Sequence, residues 1–172
     1  MILTTCPACA APLAHDAPRC VRCKLRYCDA TCQHDHWRRG HKQICKKIHR
    51  GGNAEQYYAD KKYKEAVAVA VNAVVAAEEA LGDEHCVTVD LKKCYALALY
   101  QYHFYGYDDY RDDLRKSIEI IEDLLKLSTR VNGKHHGETQ YYLDNLATVR
   151  EEQLDWCIHD LTPATFQAYR HS

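Results

Sequence analysis

The sequence lacks any run of apolar residues that approaches the roughly 18 to 20 needed to cross a bilayer, so no transmembrane helix is expected. It also lacks a basic start followed by an apolar stretch, since it opens with MILTTCPACA, and we therefore expect no secretory signal. Without export, the thiols would stay reduced in the cytoplasm or nucleus. In those compartments disulfides are rare, and clustered cysteines more often bind metal or take part in chemistry.

Cysteine, by contrast, is abundant: the chain has ten in 172 residues, and seven of them fall within the first 45. Charge is unevenly distributed as well. Residues 1–50 hold ten Lys and Arg against three Asp and Glu, a net charge of +7, which leaves −8 for residues 51–172. The unlike parts predict a cysteine-rich head (residues 1–50) and a separate arm (residues 51–155), followed by a C-terminal tail (residues 156–172).

The donors of the head are spaced in pairs that suit metal binding. Two or three residues separate the members of each pair, so both can reach one ion. The pairs are Cys6 and Cys9, Cys20 and Cys23, Cys28 and Cys32, and His41 and Cys45. Eight donors make two tetrahedral sites, and thiolates with an imidazole favour zinc. No position stays open for a catalytic water, so the pattern predicts a structural cage that stabilises a segment with a thin apolar core.

Residues 6–45 resemble the MYND-type zinc finger. The second half of that motif runs Tyr-Cys, three residues, Cys-Gln, a short gap, Trp, then His-Lys, two residues and Cys. It stands here as Tyr27, Cys28, Cys32, Gln33, Trp37, His41, Lys42 and Cys45. The resemblance implies two interleaved zinc sites per chain. The first would consist of Cys6, Cys9, Cys28 and Cys32, and the second of Cys20, Cys23, His41 and Cys45.

Two other histidines compete with His41 for the place of the imidazole ligand. Relative to some members of the family the segment HWRRGHK is one residue longer, at Gly40, and this leaves His34 and His36 as alternatives. We favour His41 because it precedes Cys45 by one helical turn and shares its helix face, whereas His36 does not.

The accessory side chains of the motif allow two roles. Trp37 stands one turn before His41 and could simply cover the second zinc and pack against Tyr27. The resemblance implies instead that Gln33 and Trp37 help to form a groove for proline-containing peptides. Aromatic-lined grooves suit such stiff, extended ligands, which lose little entropy on binding. Both roles stay open, and they can coexist.

The positive charge of the head raises nucleic acid as an alternative partner. Residues 36–50 are predicted to form a basic helix, with cations at Arg38, Arg39, Lys42, Lys46, Lys47 and Arg50. The sequence has neither the spacing of the DNA-reading finger that binds zinc through two cysteines and two histidines nor the basic–aromatic alternation that stacks single strands. A solvated charged face is therefore favoured over a phosphate-binding one.

The arm is predicted to be all helical, because apolar residues recur at spacings of three and four without a strand alternation. Gly51 and Gly52 should form a linker that ends the last helix of the head, and Asn53 should cap the next helix. We expect helices at about 54–81, 87–104, 110–131 and 138–155, the first of them broken near residues 60–62. Small residues should allow close helix approach along one seam: Ala66, Ala70, Ala73 and Ala77. A matching larger face should consist of Leu114, Ile118, Ile121 and Leu125.

The arm also repeats itself at an offset of 51 residues. GDEHCVTVDLKKCYALA and GKHHGETQYYLDNLATV align so that Gly82 matches Gly133, His85 matches His136, and Thr88 matches Thr139. These units resemble tetratricopeptide repeats of the kinesin-light-chain type, although Cys86 and Gly137 stand where that family usually has proline. The resemblance implies an all-α array of stacked helix pairs, a short one that dimerisation or packing on the head would protect.

Residues outside these motifs are assigned structural roles. Three cysteines without paired spacing are expected to be buried small apolar residues: Cys86, Cys94 and Cys157. A tyrosine cluster is expected to be mainly core spacing, with a recognition surface as the alternative. Its members are Tyr100, Tyr102, Tyr105, Tyr107 and Tyr110.

No enzyme class fits the sequence. The chain is too short for the catalytic domain of the lysine methyltransferases that carry a MYND finger, and RING-type ubiquitin ligases order their zinc ligands differently. A cysteine hydrolase would need a free activated thiol beside a histidine. We therefore expect a non-catalytic, zinc-binding adaptor whose finger captures a peptide and whose repeats bind a second protein, with no membrane partner. The alternative is a nucleic-acid-associated finger protein that uses residues 36–50.

Overall fold

The computed structural model describes residues 5–104 and 111–159, and it joins a small irregular head to an all-helical arm. In the head, α1 spans Ala30–His36, a π-helical turn spans Trp37–His41, and α2 spans Lys42–Gly51. The arm consists of α3 (Asn53–Ala59), α4 (Tyr63–Leu81), α5 (Cys86–Phe104), α6 (Arg111–Asn132) and α7 (Gly137–His159). None of these helices, within the part described, combines the length and apolarity needed to cross a bilayer.

The first two cysteine pairs lie on two copies of one tight turn. In the first copy the N–H of Cys6 donates to the carbonyl of Ala11 (2.8 Å), and the N–H of Ala10 donates to the carbonyl of Cys6 (2.8 Å). The same two bonds recur around Cys20, where Lys24 takes the place of Ala10. Ala10 and Lys24 both adopt a left-handed backbone, with φ of 60° and 61°. Each turn thereby folds the chain back on itself and brings the two thiols of its pair together.

The basic helix predicted over residues 36–50 is interrupted at Gly40. This residue has φ of 128°, a conformation that side chains disfavour and glycine tolerates. The chain kinks at this glycine, where two helical segments meet, and the additional residue of the segment lies at the kink. Arg38 and Arg39 consequently lie on the π-helical turn, and the remaining predicted cations lie on α2. The prediction of one continuous basic helix is therefore wrong.

The segment predicted as a linker is a buried contact between head and arm. Gly51 is buried, and a Cβ atom built on it would lie 2.3 Å from Cβ of Ala73 on α4 and 2.6 Å from Cδ2 of Leu91 on α5. Only glycine allows so close an approach, so the prediction of a linker is wrong. The prediction that the two glycines end the last helix of the head is confirmed, because α2 ends at Gly51 and Gly52 is its C-cap. The capping prediction for Asn53 is wrong too, because Gly52 occupies the capping position of α3 and no side chain caps that helix.

The predicted faces of the arm helices are present in the packing. All four alanines of the seam on α4 are fully buried, which explains how α2 can lie so close to it. On α6, Leu114, Ile118 and Ile121 are buried, and Leu125 packs at the edge of the same cluster. The predicted break is confirmed as well, since α3 ends at Ala59 and α4 begins at Tyr63.

The internal repeat has a counterpart in two matching turns, which precede α5 and α7. Gly82 and Gly133 adopt φ of 87° and 88°. Six residues after each glycine a buried threonine donates its hydroxyl back to the glycine carbonyl, from Thr88 to Gly82 at 2.8 Å and from Thr139 to Gly133 at 2.9 Å. In each turn the histidine Nδ1 accepts a hydrogen bond from the N–H two residues later, at 3.3 and 3.2 Å. The two helix starts are therefore built in the same way.

One apolar core runs from the head into the arm. Its buried members from the head are Cys6, Cys20, Cys23, Leu25, Tyr27, Cys45 and Ile48. Its buried members from the arm are Ala73, Val74, Ala76, Ala77, Leu81 and Leu91. A second cluster joins α5, α6 and α7. Because the first core contains thiols of the candidate metal ligands, the metal sites and the first arm helices are packed as one body.

The unpaired cysteines only partly follow expectation. Cys94 is half-buried, and burial raises the pKa of its thiol. Cys86 is exposed, so the prediction that it is buried is wrong; it is the first residue of α5, at the edge of the repeated turn. The side chain of Cys157 and the tyrosines between residues 105 and 110 lie outside the described part of the chain.

Candidate metal centre

Two groups of four donors converge in the head. The first group is Cys6, Cys9, Cys28 and Cys32, and the second is Cys20, Cys23, His41 and Cys45. Within each group the four ligand atoms lie within 4.8 Å of one another. The two tight turns supply Cys6 and Cys9 to the first group and Cys20 and Cys23 to the second. The first group is completed by the pair at the start of α1, and the second group by the pair at the end of the π turn and on α2. This grouping is the interleaved one that the resemblance implies.

The distances between donors fit tetrahedral zinc. With Zn–S bonds of about 2.3 Å, two thiolates of one tetrahedron stand about 3.8 Å apart. The Sγ atom of Cys9 lies 3.6 Å from that of Cys28 and 3.7 Å from that of Cys32, and the Sγ atoms of Cys20 and Cys45 lie 3.7 Å apart. These separations are far too long for a disulfide, which requires about 2.05 Å. Four thiolates in the first group, and three thiolates with one imidazole in the second, are donor sets of structural zinc sites.

The structure places His41, the histidine favoured from the sequence, in the second group. Its ring is buried and its Nε2 lies 3.4 Å from Sγ of Cys23. Burial lowers the pKa of His41 to about 4, with a further contribution from His36. The imidazole is therefore neutral at pH 7, which is the form that binds a metal. His34 and His36 stay outside both groups of donors.

Aromatic side chains enclose the second site. The ring of His36 stacks on that of His41, with centroids 4.9 Å apart and planes 17° from parallel, and its Nδ1 lies 3.0 Å from the hydroxyl of the buried Tyr27. The ring of Trp37 meets His41 edge-on at 5.9 Å. Trp37 therefore covers the second site, which is one of the two roles considered for it. His36 packs against the same site, a role that the sequence did not reveal.

Four of the seven thiols of the head depend on a metal to become ionised. At Cys6 and Cys20, the effect of burial is outweighed by hydrogen bonds from the backbone, which lower the pKa of Cys6 to about 6 and that of Cys20 as well. Burial raises the pKa of Cys23 and of Cys45. Hydrogen bonding to Cys9 raises the pKa of Cys28 to about 11, and burial raises that of Cys32 to about 12. A metal ion must displace protons from these groups in order to bind. Acid therefore competes with the metal, and zinc affinity should fall as the pH falls.

Two polar side chains that sequence analysis did not single out position the ligands. Asp29 caps α1 by accepting a hydrogen bond from the N–H of Cys32 at 2.8 Å, which fixes the end of the helix that carries this ligand. Arg39 donates from its guanidinium to the carbonyl of Ala8 at 3.1 Å and so ties the π turn to the first tight turn. An aspartate before a helix start is a recognisable capping signal. The arginine contact is long-range and leaves no local pattern in the sequence.

A shallow apolar groove lies beside the second site. Its volume is about 370 Å³, and it is lined by Cys20, Val21, Arg22, Ala30, Gln33, His34 and Trp37. Val21 is 82% exposed, so a branched apolar side chain faces solvent at the groove. The structure therefore brings the two predicted peptide-binding residues, Gln33 and Trp37, together on one small surface next to a metal site.

Comparison with known proteins identifies the head. Residues 4–45 match the family model of the MYND finger. Over 50 residues the chain is 44% identical to ubiquitin carboxyl-terminal hydrolase 17 of Arabidopsis thaliana, a match that covers 28% of this chain and 7% of that relative. Over 28 residues it is 64% identical to ubiquitin C-terminal hydrolase 15 of Oryza sativa subsp. japonica, covering 16% of this chain and 3% of that relative. The chain thus spans only a small part of the curated relatives that it matches. No solved structure matches it.

Proposed function

We propose that this chain is a non-catalytic, intracellular interaction adaptor, whose zinc finger captures a proline-containing peptide and whose helical arm binds a second protein. The observation that carries the proposal is the apolar groove containing Val21, Gln33 and Trp37, which lies beside a metal site built entirely from protein ligands. MYND fingers are generally protein-interaction modules. A groove of this shape suits an extended peptide that carries little conformational entropy, as proline-containing segments do.

The donor sets support a role without catalysis. A catalytic zinc keeps one position for water or substrate, whereas four protein donors converge at each site here. Outside the metal sites, the exposed thiol of Cys86 lies 4.0 Å from Nδ1 of His85. That nitrogen already accepts a hydrogen bond from the N–H of Val87 at 3.3 Å, in the turn that starts α5. It is therefore engaged in the turn and poorly placed to serve as the base of a nucleophilic thiol.

The arm is proposed to be a short tetratricopeptide-like array of the kinesin-light-chain type. The repeated turns at Gly82 and Gly133 and the core shared by α5, α6 and α7 support this proposal. Helices stacked in this way present extended surfaces on which proteins commonly dock. The finger itself covers one side of α4, where an isolated array would expose an apolar face.

Nucleic acid is the second candidate partner, favoured by the exposed cations of the head. The kink at Gly40 divides these cations between the π turn and α2, which weakens that candidate. Salt dependence separates the two. Phosphate binding through several cations should weaken by orders of magnitude between about 50 and 200 mM salt, whereas capture in an apolar groove should change little.

The peptide groove is tested with the zinc-loaded chain on an array of proline-containing peptides. We expect Trp37→Ala to weaken capture by about tenfold or more, because it removes the aromatic wall. Since Trp37 also touches His41, Val21→Glu serves as a second variant, because the Val21 side chain is 82% exposed. Val21 follows the ligand Cys20, so the zinc content of each variant is measured before its binding is compared. Val75→Glu, a half-exposed valine of α4 that does not line the groove, is the matched control. The groove assignment is wrong if both Trp37→Ala and Val21→Glu recover the same peptides as the wild type and the control.

A further inference from the structure

A larger cleft lies where the head meets the arm. Its volume is about 640 Å³, within the range of sites that hold ligands, and it shares no lining residue with the apolar groove. One wall is formed by the head and the other by the start of α5, the end of α6 and the start of α7. No sequence pattern indicates this cleft, because its two walls come from residues more than fifty positions apart.

The head contributes a wall of cationic and polar side chains: His15, Arg19, Lys24 and Arg26. Within the described chain, Arg19 and Lys24 are exposed and no carboxylate lies within ion-pair distance of them. The guanidinium of Arg26 donates only to the backbone carbonyls of Ala14 and His15, and its Nε atom is buried with no hydrogen-bond partner. Carbonyl partners do not neutralise charge, so this wall keeps its positive potential.

The arm contributes an apolar wall in which Val89, Leu124, Leu127 and Val131 line the cleft. Val131 is 68% exposed, a large fraction for a branched apolar side chain. Two carboxylates on this wall are already engaged. Glu84 pairs with Arg130, and Glu138 accepts hydrogen bonds from Asn132 (3.1 Å) and Tyr142 (3.3 Å). Asn132 and Tyr142 are neutral donors, so they do not cancel the charge of Glu138. The positive charge of the cleft therefore lies on the head, whereas the arm combines the unpartnered apolar surface with the carboxylates of Asp90 and Glu138.

We propose that this cleft binds an extended segment of a partner protein in which acidic side chains stand next to large apolar side chains. The carboxylates would face Arg19 and Lys24, and the apolar side chains would cover Val131 and Leu127. This proposal rests on the proposed function in one respect, because it gives the second partner of the adaptor its chemistry and its site. Recognition would require both walls, so neither the finger nor the arm would bind the segment alone.

The arrangement disfavours other occupants. A nucleic acid would place phosphates against the acidic arm, whose part of the sequence carries a net charge of −8, and it would leave the apolar wall uncovered. A peptide with acidic groups on both sides would meet the carboxylates of Asp90 and Glu138, which lie on the arm side of the cleft. Asp90 thus favours segments whose acidic and apolar side chains are segregated.

The test uses the full zinc-loaded chain and arrays of short acetylated, amidated peptides. In the first array each peptide carries two acidic residues beside two large apolar residues. Lysine replaces the acidic residues in the second array, and serine replaces the apolar residues in the third. We expect binding to the first array to exceed binding to the other two by about tenfold or more, because each control removes the complement of one wall.

Four variants locate the binding. Arg19→Glu and Val131→Asp should each weaken binding to the first array by about tenfold, and Arg19→Glu should also improve binding to the lysine array. Arg38→Glu makes the same charge change elsewhere on the head, and Val75→Asp places the same carboxylate on another exposed valine, so both should bind as the wild type does. His34→Glu changes the apolar groove at an exposed side chain that belongs to neither group of metal donors, and it should leave this binding intact. It therefore separates a failure of this proposal from a failure of the peptide groove.

Several results would overturn the proposal. Equal binding to all three arrays would show that the cleft does not select this chemistry, and unchanged binding by both Arg19→Glu and Val131→Asp would place the site elsewhere. Displacement of the peptides by a single-stranded DNA oligonucleotide would assign the cationic wall to nucleic acid. A dimer in sedimentation that Val131→Asp abolishes would assign the cleft to a second copy of the chain.

Discussion

Removal of zinc from the full chain is expected to unfold the finger and also to lower the stability of α4 and α5. Structural zinc contributes on the order of 10 kcal/mol or more to the folding of a small finger, which cannot bury enough apolar surface alone. The buried ligands Cys20, Cys23 and Cys45 belong to the same apolar core as Ala73 and Leu91 of the arm. Loss of the metal would unfold the head and remove its side chains from this shared core. The stability of the arm helices that pack on these side chains should therefore fall as well.

The loss should proceed in two stages. Cys9 and Cys28 of the first site are exposed, whereas all four ligands of the second site are buried. A chelator should therefore strip the first site first, with a modest loss of structure, and the second site later. Hydrogen exchange of α4 and α5 should accelerate only with the second stage. Far-ultraviolet circular dichroism combined with a colorimetric zinc indicator follows both stages.

Magnesium at the same concentration as the chelator is the control for ionic effects, and re-addition of zinc should restore the spectrum. Complete removal of zinc that leaves the helical signal and the exchange rates of α4 and α5 unchanged would contradict this expectation. If the arm keeps its stability while the finger unfolds, the shared core contributes little to the stability of the arm.

Replacement of Gly51 by alanine is expected to destabilise the protein, although alanine is the better helix former. Helix propensity alone would predict a gain of about 1 kcal/mol. The added Cβ would however meet Cβ of Ala73 at 2.3 Å, and that atom belongs to a short side chain that cannot rotate away. Either α2 or α4 must shift, and overpacking of this kind costs about 1–3 kcal/mol. The expected net result is a lower free energy of unfolding.

The adjacent glycine provides the matched control. Gly52 has a helical backbone, with φ of −60° and ψ of −23°, and the nearest atom to an added Cβ is the carbonyl oxygen of His49 at 3.3 Å. Gly52→Ala should therefore stay within about 1 kcal/mol of the wild type. Urea unfolding of the zinc-loaded proteins compares the two variants. Similar midpoints for both would contradict the contact between α2 and α4.

The metal ligands were accessible from the sequence because each pair of donors is separated by only two or three residues. Donors at such short spacing can bind one ion whatever fold the rest of the chain adopts. The helix limits of the arm were accessible for a related reason: apolar residues keep a helical period, and Gly82 and Gly133 mark the turns between helices. The grouping of donors into two interleaved sites depends on long-range contacts, and it came from the resemblance to a known finger rather than from spacing.

The predictions from sequence were wrong where long-range contacts determine the local structure. Two adjacent glycines usually mark a turn or loop. At Gly51, however, the close approach of α4 leaves no room for a side chain. Gly40 carried a usable signal, since a glycine inside a helical pattern often marks a kink, and the structure places the π turn there. The cleft between head and arm had no signal at all, because Arg19 and Val131 become neighbours of one cleft only when the finger docks on the arm.

Native mass spectrometry of the reduced full chain, combined with thiol alkylation, tests the central claim that eight donors close two zinc sites. The account predicts a mass increase of about two zinc ions per chain, with the seven cysteines of the head protected until a chelator is added. A chain that carries no stoichiometric metal, and whose seven head thiols react freely under native conditions, would contradict it.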